Sequence, residues 1–259
     1  MMLAQILEEK EKAIAKAKKS MPLHQLADKC ARAKTAIRDF KSAIYRRSDI
    51  SLIAEMKKAS PSRGVIREDF NPQEIAKIYQ LSGANAISVL TEEKFFLGSL
   101  GYINKIKEVC TLPVLRKDFI IDEYQIYESC YYGADAVLLI ADILSKDQIK
   151  KFMAIAASLG LQSLVEAHSD EDLDKILKAD ADIIGINNRD LHTFKLNHKT
   201  GENLIGLVPR SKTIVIESGI KSNSDVMFYK SLGANAVLVG EAFMDAQDIK
   251  AKVKEIIGH

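Results

Sequence analysis

The chain predicts an α/β fold, a single (β/α)8 or TIM barrel of parallel strands behind an N-terminal helical extension. Two observations carry this. Short apolar runs alternate with helical segments eight times, the pattern of a parallel sheet with right-handed crossovers. In addition, three helix-to-strand junctions nearly copy one another: GANAISVL from Gly83, GADAVLLI from Gly133 and GANAVLVG from Gly233, with ADADIIGI from Ala179 as a relative lacking the glycine. The recurrence is about every 50 residues. In each copy glycine takes the left-handed conformation that closes a helix, and the β-branched run after it suits a strand buried on both faces.

Residues 1–47 stand ahead of the repeat as an extension, and residues 48–259 form the barrel. From Pro22 onward Leu23, Leu26, Cys30, Ala33, Ile37, Phe40 and Ile44 recur at three- and four-residue steps. This predicts one amphipathic helix that covers an end of the barrel. The extension carries 12 Lys/Arg against 5 Asp/Glu, a balance of +7, leaving 25 against 30 for the rest. That charge is read as a solvated helix face, with steering of an anionic substrate as the alternative.

The first strand is SLIAEMK from Ser51, and Asn71-Pro72 starts the helix after it. The Gly83 junction leads into the second strand, LPVLRKDF from Leu112 is the third, and Asp122 to Gln125 has capping-box spacing. The Gly133 junction opens the fourth strand, and Ser145 to Gln148 repeats the capping spacing. LQSLVEAH from Leu161, the Ala179 segment, KTIVIESG from Lys212 and the Gly233 junction complete the eight. An open doubly wound sheet is the structural alternative, but no GxGxxG or GxxxxGK[ST] follows the first strand.

Composition narrows the function. Of 259 residues 47% are hydrophobic and 28% charged, and the net charge is +2, so nothing points to nucleic acid. Cys30, Cys110 and Cys130 have no metal or disulfide spacing and are expected as reduced, buried thiols. No apolar run approaches the roughly 20 residues that span a bilayer, and the polar start lacks a signal-peptide core. A cytoplasmic protein with no membrane contact is expected, with no fused enzyme after the barrel.

In such a barrel the strand C-termini converge on one mouth. They supply Glu55 and Lys57, Thr91, Lys117 and Asp118, Asp142, Glu166 and His168, Asn187 to Arg189, Glu217 with Ser218, and Gly240. Two-residue alternation lets Glu55 and Lys57 both face the mouth, with Met56 outward and Lys58 solvated. One charge at a strand end is commonly just the first solvated position. A set of lysines and carboxylates at the same end of successive strands is harder to dismiss, because shared burial tunes them for proton transfer. His168 is read as a hydrogen-bonded wall residue, and no HExxH or Cys/His cluster implies a metal. ESGI from Glu217 and VGEAF from Val239 place Ser218-Gly219 and Gly240-Glu241 in the last two loops, where barrels hold phosphate on backbone N–H groups. SPSRG from Ser60 is read as a loop of the mouth, with Gly64 allowing it to move.

On these residues the chain resembles the indole-3-glycerol-phosphate synthase family of tryptophan biosynthesis, along nearly its whole length. The carrying motifs are IAEMKKASPSRG, ISVLTEEKFFLGS, VLRKDFIID, GINNRDL, ESGI and LVGEAFM, with LVEAH in support. The resemblance implies closure of the indole ring of 1-(2-carboxyphenylamino)-1-deoxyribulose 5-phosphate, releasing carbon dioxide and water. It makes Lys117 the general acid, Glu166 the general base, Lys57 the holder of the substrate carboxylate, and Glu55 an orienter of the lysines. Asn187, Arg189 and Glu217 become polar support. Ser60, Ser218, Gly219, Gly240 and the backbone of Glu241 receive the phosphate, while Phe95, Phe119 and Leu138 pack on the aromatic ring. The partner is this phosphorylated anthranilate-derived small molecule, with no cofactor, no metal and a monomeric state. Two other classes stay open: a Schiff-base aldolase using Lys117, and an idle phosphosugar-binding barrel.

Overall fold

Eight of the ten strands close a parallel barrel in a computed structural model that describes residues 2–32, 36–45 and 49–258. β1 (Ser51–Met56) is followed by a hairpin of two short strands, β2 (Ala59–Ser60) and β3 (Gly64–Val65), outside the barrel. The other barrel strands are β4 (Ala86–Leu90), β5 (Val114–Lys117), β6 (Ala136–Ile140), β7 (Gln162–Ala167), β8 (Ile183–Asn187), β9 (Thr213–Glu217) and β10 (Ala236–Val239). Sequential neighbours pair, and β10 returns to β1 with Ser51 opposite Ala236. The barrel expectation therefore holds, with all eight apolar runs forming its strands.

Alternation divides each strand between two cores. Ile53, Leu115, Leu138, Leu164, Ile183, Val215 and Leu238 point inward into one cluster. Leu52, Val89, Val114, Leu139, Val165, Ile184, Ile216 and Val237 face the surrounding helices in the other. Truncating a buried aliphatic in either layer to alanine costs about 2–5 kcal/mol.

The repeated junctions behave as their glycines require: Gly83, Gly133 and Gly233 have φ of +94°, +82° and +104°. Where the glycine is missing, Asp180 takes the left-handed position at φ +63° and closes its helix. Asn71 caps a helix that begins at Pro72, and Asp122 and Ser145 each close a full capping box.

The extension differs from its prediction. In place of one helix from Pro22 to Ile44 there are two, α2 (Leu23–Arg32) and α3 (Phe40–Ile44), after a first helix α1 (Met2–Ser20). Asp39 caps α3 through the Ser42 N–H at 2.9 Å, restarting the helix and breaking the period. Ala33, placed in the predicted helix, and the Arg47–Ser48 boundary lie outside the described residues.

The extension holds both ends of the barrel. Near α3, Arg38 N–H donates to Asp135 Oδ1 at 2.7 Å and Lys41 N–H to Gln162 Oε1 at 2.8 Å, both at strand starts. Phe40 and Ile44 then fill the barrel's lower end. α1 lies at the mouth side, where Lys10 pairs with Asp118 at 2.7 Å and Glu9 with Lys94 at 3.1 Å. No helix among the described residues is long and apolar enough to cross a membrane.

Candidate active site

At the C-terminal ends of the strands opens a cavity of about 470 Å³, within the usual size for a small-molecule site. Of the predicted residues, Glu55, Lys57, Ser60, Lys117, Phe119, Leu138, Glu166, Asn187, Arg189, Glu217, Ser218, Gly219, Gly240 and Glu241 line it. Lys58 does not, as alternation after Glu55 requires. Phe95 is the exception. Glu92 gathers the N–H groups of Lys94, Phe95 and Phe96 at 2.7–3.1 Å, and the resulting turn sends Phe96 into the cavity instead. Phe96 lies 6.2 Å from Phe119 between ring centroids, so the apolar wall is a tilted aromatic pair. Phe95 stays half-buried behind it, under the Lys94 ammonium.

Buried charge fills the floor. Lys117 Nζ donates to Glu166 Oε2 at 2.8 Å and stands 3.2 Å from Glu217 Oε2. Lys57 Nζ lies 3.1 Å from Glu55 Oε1. Gly185 and Gly240 make room for these carboxylates: a Cβ on Gly185 would collide with Glu217 Oε1, and one on Gly240 would come within 2.6 Å of Glu55 Oε1. Burial pushes the Lys117 ammonium towards losing its proton, but the Glu166 and Glu217 carboxyls overcome it and hold the group above the ordinary lysine value. Burial likewise pushes Glu166 up, and Lys117 and His168 more than reverse this, keeping it well below the carboxylate range. Burial and the Glu166 charge drive Glu217 well above that range. The same contact thus pushes the two carboxyls in opposite directions, Glu166 towards its ionised form and Glu217 towards its neutral one.

His168, read as a hydrogen-bonded wall residue, has Glu166 as its polar neighbour. Its Nε2 stands 3.1 Å from Glu166 Oε1, yet neither ring nitrogen has an aligned hydrogen-bond partner among the described residues.

The opposite side of the mouth is backbone. Ser218 and Gly219 both have positive φ, +66° and +84°, and Gly240 opens the short helix Glu241–Met244 without a side-chain cap. Asn188 supports the Ser218 turn by donating to its carbonyl at 3.1 Å and to Tyr229 Oη at 3.0 Å. The Glu241 carboxylate is occupied by two guanidiniums, Arg189 at 2.9 Å and Arg63 at 3.0 Å. Arg63 also pairs with Asp245 at 3.0 Å from the β2–β3 turn, where Gly64 has φ +66°. Asn187 accepts from the Arg189 backbone N–H at 2.9 Å. Arg63, Phe96, Leu191 and Phe194 line the cavity without having been singled out in the sequence. Arg63, Phe96 and Leu191 lie within the SPSRG, ISVLTEEKFFLGS and GINNRDL motifs, and Phe194 lies in none.

Fold and charged mouth together define a (β/α)8-barrel enzyme. Residues 3–256 match the family model for indole-3-glycerol phosphate synthase, and the chain belongs to that family. It is 50% identical over 260 residues, covering the full length of both chains, to the indole-3-glycerol phosphate synthase of Caldanaerobacter subterraneus subsp. tengcongensis. The counterpart from Acetivibrio thermocellus is 53% identical over 217 residues, 84% of each chain. Among solved structures, 3-hexulose-6-phosphate synthase from Salmonella typhimurium superposes with a TM-score of 0.62 at 18% identity, over 81% of this chain and 97% of that one. At that identity the likeness concerns the fold alone.

Proposed function

We propose that this mouth closes the indole ring by acid–base catalysis shared between Lys117 and Glu166. The reaction is the family's, a carbon–carbon lyase step in tryptophan biosynthesis. 1-(2-Carboxyphenylamino)-1-deoxyribulose 5-phosphate is converted to indole-3-glycerol phosphate, carbon dioxide and water.

The observation that carries the division of labour is the buried Lys117–Glu166 contact at 2.8 Å on the cavity floor. Lys117, held charged by its carboxyl neighbours, is an acid in waiting. It protonates the substrate carbonyl oxygen as the ring carbon attacks the carbonyl carbon. Lys57, steadied by Glu55, holds the substrate carboxylate, which leaves as carbon dioxide when the bond to the ring breaks. Glu166, ionised, takes the proton lost as the hydroxyl departs, and Lys57 helps the hydroxyl leave as water. Asn187, Arg189 and Glu217 keep these groups in place. The substrate ring packs on Phe96, Phe119 and Leu138. Ser60, Ser218, Gly219, Gly240 and the Glu241 N–H receive the phosphate, where positive-φ turns and an uncapped helix start present donors. All these groups come from one chain, which supports a monomer as the working unit.

The charged state of Lys117 disfavours the Schiff-base alternative, which needs a neutral amine. Two measurements test the reading. Indole fluorescence should appear from the carboxyphenylamino substrate, and borohydride added during turnover should leave Lys117 unmodified. A reduced adduct on Lys117, or tight binding without fluorescence, overturns it.

A further inference from the structure

We infer that His168 is a positioning residue for Glu166: its Nε2 holds the far carboxylate oxygen, Oε1, so that Oε2 alone exchanges a proton with substrate. This rests on the acid–base reading above and adds a residue to it.

The two oxygens of Glu166 have different surroundings. Oε2 accepts from Lys117 at 2.8 Å on the cavity side. Oε1 is buried with no hydrogen-bond partner among the described residues, and the ring nitrogens of His168 are in the same position. Buried polar atoms are rarely left unmet, and these lie 3.1 Å apart, short of a hydrogen bond only in alignment. A small turn of the imidazole satisfies both. Strand geometry makes the pairing: His168 follows Glu166 by two residues at the end of β7, on the same side. Its backbone N–H donates to Asp172 Oδ2 at 3.2 Å, which ties it to the start of the next helix.

The charges around His168 favour this. Glu166 stands beside it on β7, Lys117 reaches Glu166 from β5, and Glu217 comes from β9 next to Lys117. Asp172 on the following helix pairs with Lys175 at 3.1 Å, and Asp142, beyond β6, has Oδ2 3.0 Å from His192 Nε2 without an aligned hydrogen bond among the described residues. Burial pushes His168 towards its neutral form, but Glu166 and Asp172 outweigh burial and Lys117, and its pKa is raised. When Lys117 gives its proton to the carbonyl oxygen, Glu166 loses a cation from Oε2. A second cation at Oε1 keeps the carboxylate ionised until dehydration. The substrate proton then moves to Oε2, and His168 gains and loses none.

The test compares His168→Ala, His168→Gln and Glu166→Gln for kcat, KM and thermal midpoint across pH 4 to 9. His168→Ala should lower kcat about ten-fold with KM little changed, and should raise the acid limb of the kcat profile by about one pH unit, because Glu166 has lost a cation. His168→Gln, a neutral donor, should recover much of kcat while the limb stays displaced. A lowered thermal midpoint with a parental kcat profile in both His168 variants means a packing role and overturns the inference. If Glu166→Gln turns over normally, the base assignment itself falls. If Glu166→Gln is inactive and the His168 variants keep the parental profile, only the role of His168 falls.

Discussion

Arg116 turns to the helix side at the end of β5 and pairs there with Asp118, which reaches the cavity rim, whereas Lys117 between them points into the barrel, and the two networks treat buried charge in opposite ways. Outside, each Arg116 nitrogen has a partner: Nε meets Thr91 at 3.1 Å, Nη1 meets the Gln125 carbonyl at 2.8 Å, and Nη2 meets Asp118 at 3.0 Å. Asp118 also accepts from Thr91 at 2.6 Å and from the Phe119 N–H at 2.8 Å, and pairs with Lys10 at 2.7 Å. Inside, neither oxygen of the cavity-lining Glu217 has an aligned partner among the described residues, while Glu166 Oε1 and His168 Nε2 face each other at 3.1 Å. A saturated network leaves a ligand nothing to bind. An unsaturated one facing a cavity keeps donors and acceptors for substrate. One strand thus carries architecture on one face and chemistry on the other.

Substitutions on the two faces should separate cleanly. Lys117→Ala and Glu166→Gln should lower kcat by about 10²- to 10⁴-fold, the range for a lost acid or base, while circular dichroism still reports the folded barrel. Asp118→Ala should do the reverse. It removes one of the two carboxylates that pair with the buried Arg116, leaving Glu128 at 3.0 Å, and it frees Lys10. Denaturant unfolding should therefore show a loss of about 3 kcal/mol, with kcat per folded molecule much less affected than in the inner pair. A 10²-fold loss of kcat in fully folded Asp118→Ala would break the distinction.

The sequence made the inner face legible and hid the outer one. Alternation from Glu55 to Lys57 and from Glu166 to His168 is periodic, so the mouth can be read from strand ends alone. The eight strands are equally plain, because each is a short apolar run and five of them follow a left-handed residue, Gly83, Gly133, Gly160, Asp180 or Gly233. What escaped depends on partners remote in the chain. The Arg63–Glu241 bond joins residues 178 apart and exists only because β10 closes on β1. Phe96 replaces Phe95 because Glu92 winds the loop, which no spacing signals. The extension keeps its helical period across residues 36–39, so only the Asp39 cap reveals the break.

Acid should sharpen the contrast by loosening the outer network. Burial pushes the Asp118 carboxyl up, but Lys10 and Arg116 reverse this and hold it at about 2, against an ordinary 3.8. A depressed folded-state value means that the contribution is fully present above pH 3.8 and is lost as pH falls through about 2. The difference corresponds to roughly 2 kcal/mol. Unfolding curves between pH 5 and 2 should therefore flatten in Lys10→Met relative to the parent. An unchanged acid dependence in that variant would show that Lys10 does not hold Asp118.

The smallest effect is expected at the rim, where charge is neither saturated nor deeply buried. Arg63 and Glu241 have side chains 44% and 31% exposed, so their pair should contribute only about 0–1 kcal/mol to stability. Its consequence should lie in binding. The Glu241 carboxylate stands beside the proposed phosphate loop and would repel a dianion were it not covered by Arg63 and Arg189. Arg63→Ala uncovers part of that charge. KM for the phosphorylated substrate should then rise roughly three- to ten-fold at low ionic strength, with kcat nearly constant and the increase shrinking as salt screens it. Adding Glu241→Gln removes the repelling charge and should bring KM back towards the parent, a coupling that two independent sites would not show. A rise in KM that ignores both salt and Glu241→Gln would mean that Arg63 acts by shaping the β2–β3 turn rather than by charge.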